Sequence, residues 1–193
     1  MQVRNTRNPR QISSATQAKT GMINEPLIDR QQEENSKPTV ILLRRESFVK
    51  MLTNLTETYG APGYSMIYSL GKNTGGEEFR SVSEEQKKLG IPMTRPMILK
   101  KALERLASMG WGRFQVESLE LNASAIVAIK KNIFNDSCSH DSVGCCFIQG
   151  LIAGIMSEVF EAEPIYSEPR CHAEEGERCV LMLTSEKAKS YNI

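Results

Sequence analysis

From Glu46 onward the apolar residues of this chain recur at helical spacing. Phe48, Met51, Leu52, Leu55 and Tyr59 repeat at three and four, which predicts an amphipathic helix that Gly60 closes as a C-cap. Pro62 opens the next helix, and Tyr64, Ile67, Tyr68, Gly71 and Gly75 share one face of a helix expected to run past Phe79. Its small residues mark a stripe that another backbone can approach closely. Gly90 and Pro92 break the pattern, and a third amphipathic helix, with Ile98, Ala102, Leu103 and Leu106 inward, runs from Thr94 and stops at Gly110. Ahead of all three, TVILLRR at 39–45 is a short strand candidate.

The period changes after Trp111. FQVESLEL and SAIVAIKK alternate, with Asn122 as the turn residue between them, and predict an antiparallel pair. A fourth helix begins near Ser142 and carries the longest apolar run, Cys145 to Phe160. That run contains Gln149 and Glu158, and its Gly150 and Gly154 form a GxxxG, so it reads as a close-packed core helix rather than a membrane span. Two strand-like pieces follow, IYSEPRC and RCVLML, around the polar turn HAEEGE. Helices and strands are grouped rather than alternating, which predicts an α+β domain with a mainly antiparallel sheet packed against about four helices. Residues 1–38 are polar, without a sustained period, and read as a disordered arm ahead of a domain at 39–193.

Charge narrows the function classes. A net charge of +1, with no dense Lys/Arg run, leaves no electrostatic footprint for direct nucleic-acid binding. No export signal is evident, so the five cysteines are assigned to a reducing cytoplasm, where a metal or reduced thiols fit better than structural disulfides.

The chemistry concentrates between Cys145 and Leu183. Pairing the last two strands about Glu175 sets Cys171 directly opposite Cys179, with Cβ atoms expected about 4.5–5.5 Å apart. Two thiols at that separation form a disulfide or share a metal. Glu168 can add an oxygen and Cys145 a third sulfur. On a regular strand residues 168 and 171 face opposite ways, so a metal site needs an irregularity near Pro169. Cys146 and His172 are neighbours that point away, and Cys138 with His140 belongs to a polar surface loop. No Ser/His/Asp order, no HExxH and no dinucleotide fingerprint occurs, and KNTGG lacks the order of a phosphate loop.

Cys145, Gly150 and Gly154 in C-x4-G-x3-G, then Glu168, Cys171, Gly176 and Cys179 in E-x2-C-x4-G-x2-C, resemble the V4R (4-vinyl reductase) domain family. Gly110 to Gly112, ahead of the strand pair, and the glycine-bearing helix from Tyr64 to Gly75 are also similar to it. The resemblance spans roughly 39–184. It implies a fold related to Bet3-like trafficking proteins and to the sensor domains of phenol-responsive activators. It further implies a structural zinc ion on Cys145, Glu168, Cys171 and Cys179 beside an apolar small-molecule pocket, in a homodimer. Ligand binding that shifts the arrangement of the helices is expected to be reported to a partner protein. Tyr64, Tyr68, Phe114, Phe147 and Leu151 are the candidate ligand-binding residues, and Tyr64 to Gly75 is the expected dimer contact. The expected function is a zinc-stabilised module that binds or senses a hydrophobic or aromatic molecule, with no catalytic residues. The alternatives are a reductase-type enzyme or accessory of a tetrapyrrole pathway, and a ligand-free assembly scaffold.

Overall fold

The computed structural model describes residues 41–121, 123–134, 143–171 and 179–186, without the side chains of 167–171. The chain divides into two compact units, Met1–Ile41 and Leu42–Ile193, and every helix and strand named below belongs to the second. The arm read from residues 1–38, the loop with Cys138 and His140, and the HAEEGE turn with His172 all lie outside the described residues.

Four helices and four strands succeed one another in the order α1 (Arg45–Tyr59), α2 (Ala61–Lys88), α3 (Arg95–Ser108), β1 (Arg113–Glu120), β2 (Ser124–Lys130), α4 (Val143–Phe160), β3 (Pro164–Cys171) and β4 (Cys179–Ser185). The strand expected at 39–45 is not formed by its described part. Leu42 to Arg44 have no regular structure, Leu42 and Leu43 are 94% and 56% exposed, and Arg45 already begins α1. An apolar run forms a strand only where a sheet edge takes up its backbone groups. The described sheet is ordered β1-β2-β4-β3 and antiparallel throughout, and neither of its edge strands, β1 or β3, pairs with this segment.

Gly60 joins α1 to α2 at φ 60°, and Pro62 stands in the first turn of α2. Lys87 and Lys88 in the last turn of α2 complement the helix dipole, and Gly90, at φ 68°, turns the chain back towards α3. Helix α4 is the one described helix long and apolar enough to cross a membrane, and it is the centre of the core: Ile148, Leu151, Ile152, Ile155, Met156 and Val159 are all 4% exposed or less.

The glycine stripes of α2 and α4 interlock. A Cβ at Gly71 would stand 2.9 Å from Leu151 N, and one at Gly75 2.9 Å from Leu151 C. One at Gly150 would stand 3.0 Å from Lys72 N, and one at Gly154 2.8 Å from Gly76 N. Each glycine thus faces the partner helix's backbone, an approach that any side chain would block. The close packing read from Gly150 and Gly154 is present. Within the stretch Tyr64 to Gly75, expected as a dimer contact, Gly71 and Gly75 pack against α4 of the same chain, while Tyr64, Met66 and Leu70 are exposed. Ion pairs brace the same crossing from outside, Lys72 to Glu163 at 2.5 Å and Arg80 to Glu158, while Arg105 of α3 pairs with Glu78 and, at 3.1 Å, Glu85 of α2.

Candidate functional site

Strand β1 does not alternate throughout. Phe114 pairs with Ile129 and Val116 with Val127, but the register then shifts, so that Ser118 pairs with Ile126 and Leu119 with Ala125. Glu117 is the extra residue of a bulge. Strict alternation would have put Ser118 on the core face and Leu119 on the outer one. The bulge exchanges them, so Phe114, Val116 and Leu119 all stand opposite the buried row Ile129, Val127 and Ala125.

That apolar wall faces a single stripe of α3. Pro96, Leu99, Lys100, Leu103, Glu104 and Ala107 recur at three and four along the helix, and with the β1 wall they enclose a groove of about 600 Å³. Leu99 and Leu103, at 2% and 5% exposure, form its floor, and Ala107 is the small residue that leaves it open. Arg113 and Lys100 stand at its rim, where Glu104 lies 3.9 Å from the Lys100 amine. The volume falls in the range of small-molecule sites, and the composition, mostly apolar with a few polar groups, matches it. A second hollow of about 580 Å³ runs along α1, lined by Arg45, Glu46, Lys50, Thr53, Asn54 and Glu57 with only Val49 apolar.

Of the expected ligand residues, Phe114 lines the α3–β1 groove, and the others lie elsewhere. Phe147 is 2% exposed and sits in an aromatic cluster. Trp111 stacks on it at 5.2 Å, Phe48 meets it edge-on at 5.3 Å, and Phe134 at 6.2 Å. Leu151 is fully buried in the core. Tyr64, 36% exposed, lies on the flank of α2. Tyr68 packs edge-on to Tyr166 at 6.4 Å, and the Tyr166 hydroxyl donates to the Gln149 carbonyl. Burial, then the neighbouring Tyr68, pushes the Tyr166 phenol well above its ordinary value. Burial, then the Glu163 carboxylate, raises that of Tyr68. Among the described residues, open apolar space lies at the β1 edge of the sheet. Aromatic rings fill the interior next to Gly144 and Phe147.

The expected register at the cysteines is present: Cys171 pairs directly with Cys179, and Cys179 with Ile129. Cys179 thus belongs to the row that Ile129 and Phe114 continue across the core face, and it packs against the core. Cys145, in the first turn of α4, is 9% exposed, and Cys146 beside it is half-buried. Glu168 takes the register position opposite Met182. The irregularity of β3 falls between Tyr166 and Glu168, and the register from Glu168 to Cys171 is unbroken. Pro169 fits there because β3 is an edge strand, where a missing donor leaves no ladder bond unmade. The side chains of Glu168 and Cys171 lie outside the described residues.

Sequence reasoning did not single out Leu99, Ala107, Arg113, Val116 and Leu119 as groove residues. The available signal was the adjacent Glu117 and Ser118, which interrupt an otherwise regular apolar alternation.

No protein-family model and no curated protein matches the chain. Among solved structures it is similar to the phenol-responsive sensory domain of the transcription activator PoxR, solved with phenol. The two are 14% identical over 80% of this chain and 83% of that one, with a TM-score of 0.64. A vinyl-4-reductase family protein from Methanocaldococcus jannaschii is 12% identical over 80% and 88%, with a TM-score of 0.47. A trafficking protein particle complex subunit 3 from Naegleria fowleri, covalently bound to palmitic acid, is 14% identical over 74% and 92%, with a TM-score of 0.45. The fold expected from the cysteine and glycine motifs is thus the fold found.

Proposed function

We propose that this chain, an α+β domain of the V4R/Bet3-like fold, is a ligand-binding sensory module that takes a small hydrophobic molecule into the α3–β1 groove. The observation that carries the reading is the bulge at Glu117, which turns Leu119 inward beside Phe114 and Val116 and lines with apolar side chains a space that Ala107 leaves unfilled. Burying a ligand's apolar surface there is worth about 25 cal/mol per Å² before the costs of association. The likeness to a phenol-responsive sensory domain supports a sensing role.

A structural zinc ion on Cys145, Glu168, Cys171 and Cys179 belongs to the same proposal. What supports it is the direct pairing of Cys171 with Cys179 and a third thiol, Cys145, at the start of α4. The regular register from Glu168 to Cys171 sets those two on opposite faces, so ligation by Glu168 requires its side chain to turn around the strand edge. Such a site would tie α4 to the β3–β4 hairpin, and thiolate ligands suit a reducing cytoplasm. In this reading the module acts as a homodimer and reports ligand binding to a partner protein by shifting between arrangements of its helices.

The test is thermal unfolding of the full chain with phenol and, separately, with octanol. At a hundredfold excess over Kd either ligand should add about 2.7 kcal/mol, or about 5–10 °C in Tm for a chain of this size. Ala107→Trp, which fills the groove, should abolish the shift. If neither compound shifts the wild type, or if the shift survives Ala107→Trp, the proposal fails.

A further inference from the structure

Resting on the ligand-binding reading above, we infer that the α3–β1 groove selects an amphiphilic anion, an apolar body of moderate length ending in a carboxylate. Two independent observations at one end of the groove meet in this inference. The first is the lining: Leu99, Leu103, Phe114, Val116 and Leu119 offer the body of a ligand only apolar contacts, so a polar end group must reach the rim.

The second is the charge at that rim. Arg113 contributes to the groove wall, and its register partner across the sheet is Lys130. The Arg113–Lys130 pair belongs to the face opposite Phe114 and Ile129, so Arg113 meets the groove at its rim. Lys130 adds positive charge beside it from outside the lining, and like charges so opposed destabilise each other. The ion pairs among the described residues engage neither Arg113 nor Lys130, so no described acid answers the two cations. Glu104, the acid that lines the groove, stands beside Lys100 at 3.9 Å and offsets that lysine. The net field at the Arg113 end is therefore positive, and an incoming carboxylate would supply the anion that the two strands lack. A guanidinium also presents a planar fork matched to a carboxylate. A ligand carrying an amine at the same position would meet repulsion instead.

Isothermal titration of the full chain with octanoate and octanol, two ligands with the same apolar body, separates the terms. In 20 mM salt octanoate should bind the wild type about 1.5- to fivefold more tightly than octanol, the range for contacts with exposed cations, and 0.5 M salt should shrink the difference. Arg113→Gln should remove the octanoate advantage and leave octanol unchanged. Lys130→Gln should reduce the advantage without abolishing it. Ala107→Trp should remove binding of both. Octanoate binding no more tightly than octanol, or keeping its advantage in Arg113→Gln, overturns the anion inference and leaves the groove standing. If the wild type binds neither, the groove reading and this inference fall together.

Discussion

Adding one methyl group at Gly154 should separate the α2–α4 packing from ordinary helix propensity. In Gly154→Ala the new Cβ would come within 2.8 Å of both Gly76 N and Lys72 C, atoms of a backbone that cannot rotate aside. Overpacking in a close-packed core costs about 1–3 kcal/mol, and contact with rigid backbone puts this site at the upper end, about 3 kcal/mol. Replacing a mid-helix glycine returns about 1 kcal/mol. The net expectation is a loss of about 2 kcal/mol, which for a chain of this size is about 4–8 °C in Tm. Gly76→Ala is the control: its Cβ would meet only the Arg80 guanidinium, at 3.3 and 3.4 Å, which can move. That variant should be unchanged or up to about 1 kcal/mol more stable. Calorimetric unfolding of the two variants beside the wild type is the assay. A Gly154→Ala protein as stable as the wild type would refute the interlocked crossing.

Phe147→Ala should cost about 3–5 kcal/mol, because it empties a ring-sized space between Trp111, Phe48 and Phe134; denaturant titration followed by Trp111 fluorescence measures it, and a loss under about 1 kcal/mol would contradict the packing. Cys171→Ser should leave the protein without zinc while Cys138→Ser keeps one ion per chain, as read by native mass spectrometry; equal metal content in both would sink the ligand assignment. The raised phenol of Tyr166 sets an alkaline limit. Its neutral form is the one the fold holds, so its contribution is complete below the ordinary tyrosine value of about 10 and is lost as pH rises from there towards the raised value. Tyr166→Phe should therefore lose about 1 kcal/mol at neutral pH, with the hydrogen bond to Gln149, and decline less steeply than the wild type above about pH 10; parallel stability curves across that range would count against the assignment.

The helices were legible because their signals are local. Gly60, Pro62, Gly90 and Gly110 punctuate the chain at the places where helices begin or end, and Gly71, Gly75, Gly150 and Gly154 carry the crossing. The pairing of Cys171 with Cys179 was legible for the same reason, since a short hairpin leaves little freedom of register. In the described part of the strand expected at 39–45, Ile41, Leu42 and Leu43 are exposed and Arg45 begins α1, since an apolar run alone does not say whether it will pair with a sheet edge. The groove was missed because it is built by two elements whose relation no periodicity encodes. Leu119 reaches it only through a bulge, and Leu99 and Ala107 belong to it only because α3 lies against β1. Phe147 and Leu151 were expected to line a cavity by their closeness to Cys145 in sequence. In the fold that neighbourhood is core, filled by rings from α1, the Gly110–Gly112 turn and the segment after β2.

The central claim, a ligand seated between α3 and β1, is tested most directly by methyl-labelled NMR of the full chain titrated with octanol. Saturable shifts are expected at the methyls of Leu99, Leu103, Val116 and Leu119, with those of Leu151 and Ile155 unmoved. Saturable shifts centred on Leu151 and the aromatic cluster would place the ligand in the interior and contradict the claim, as would no saturable shift at any of these methyls.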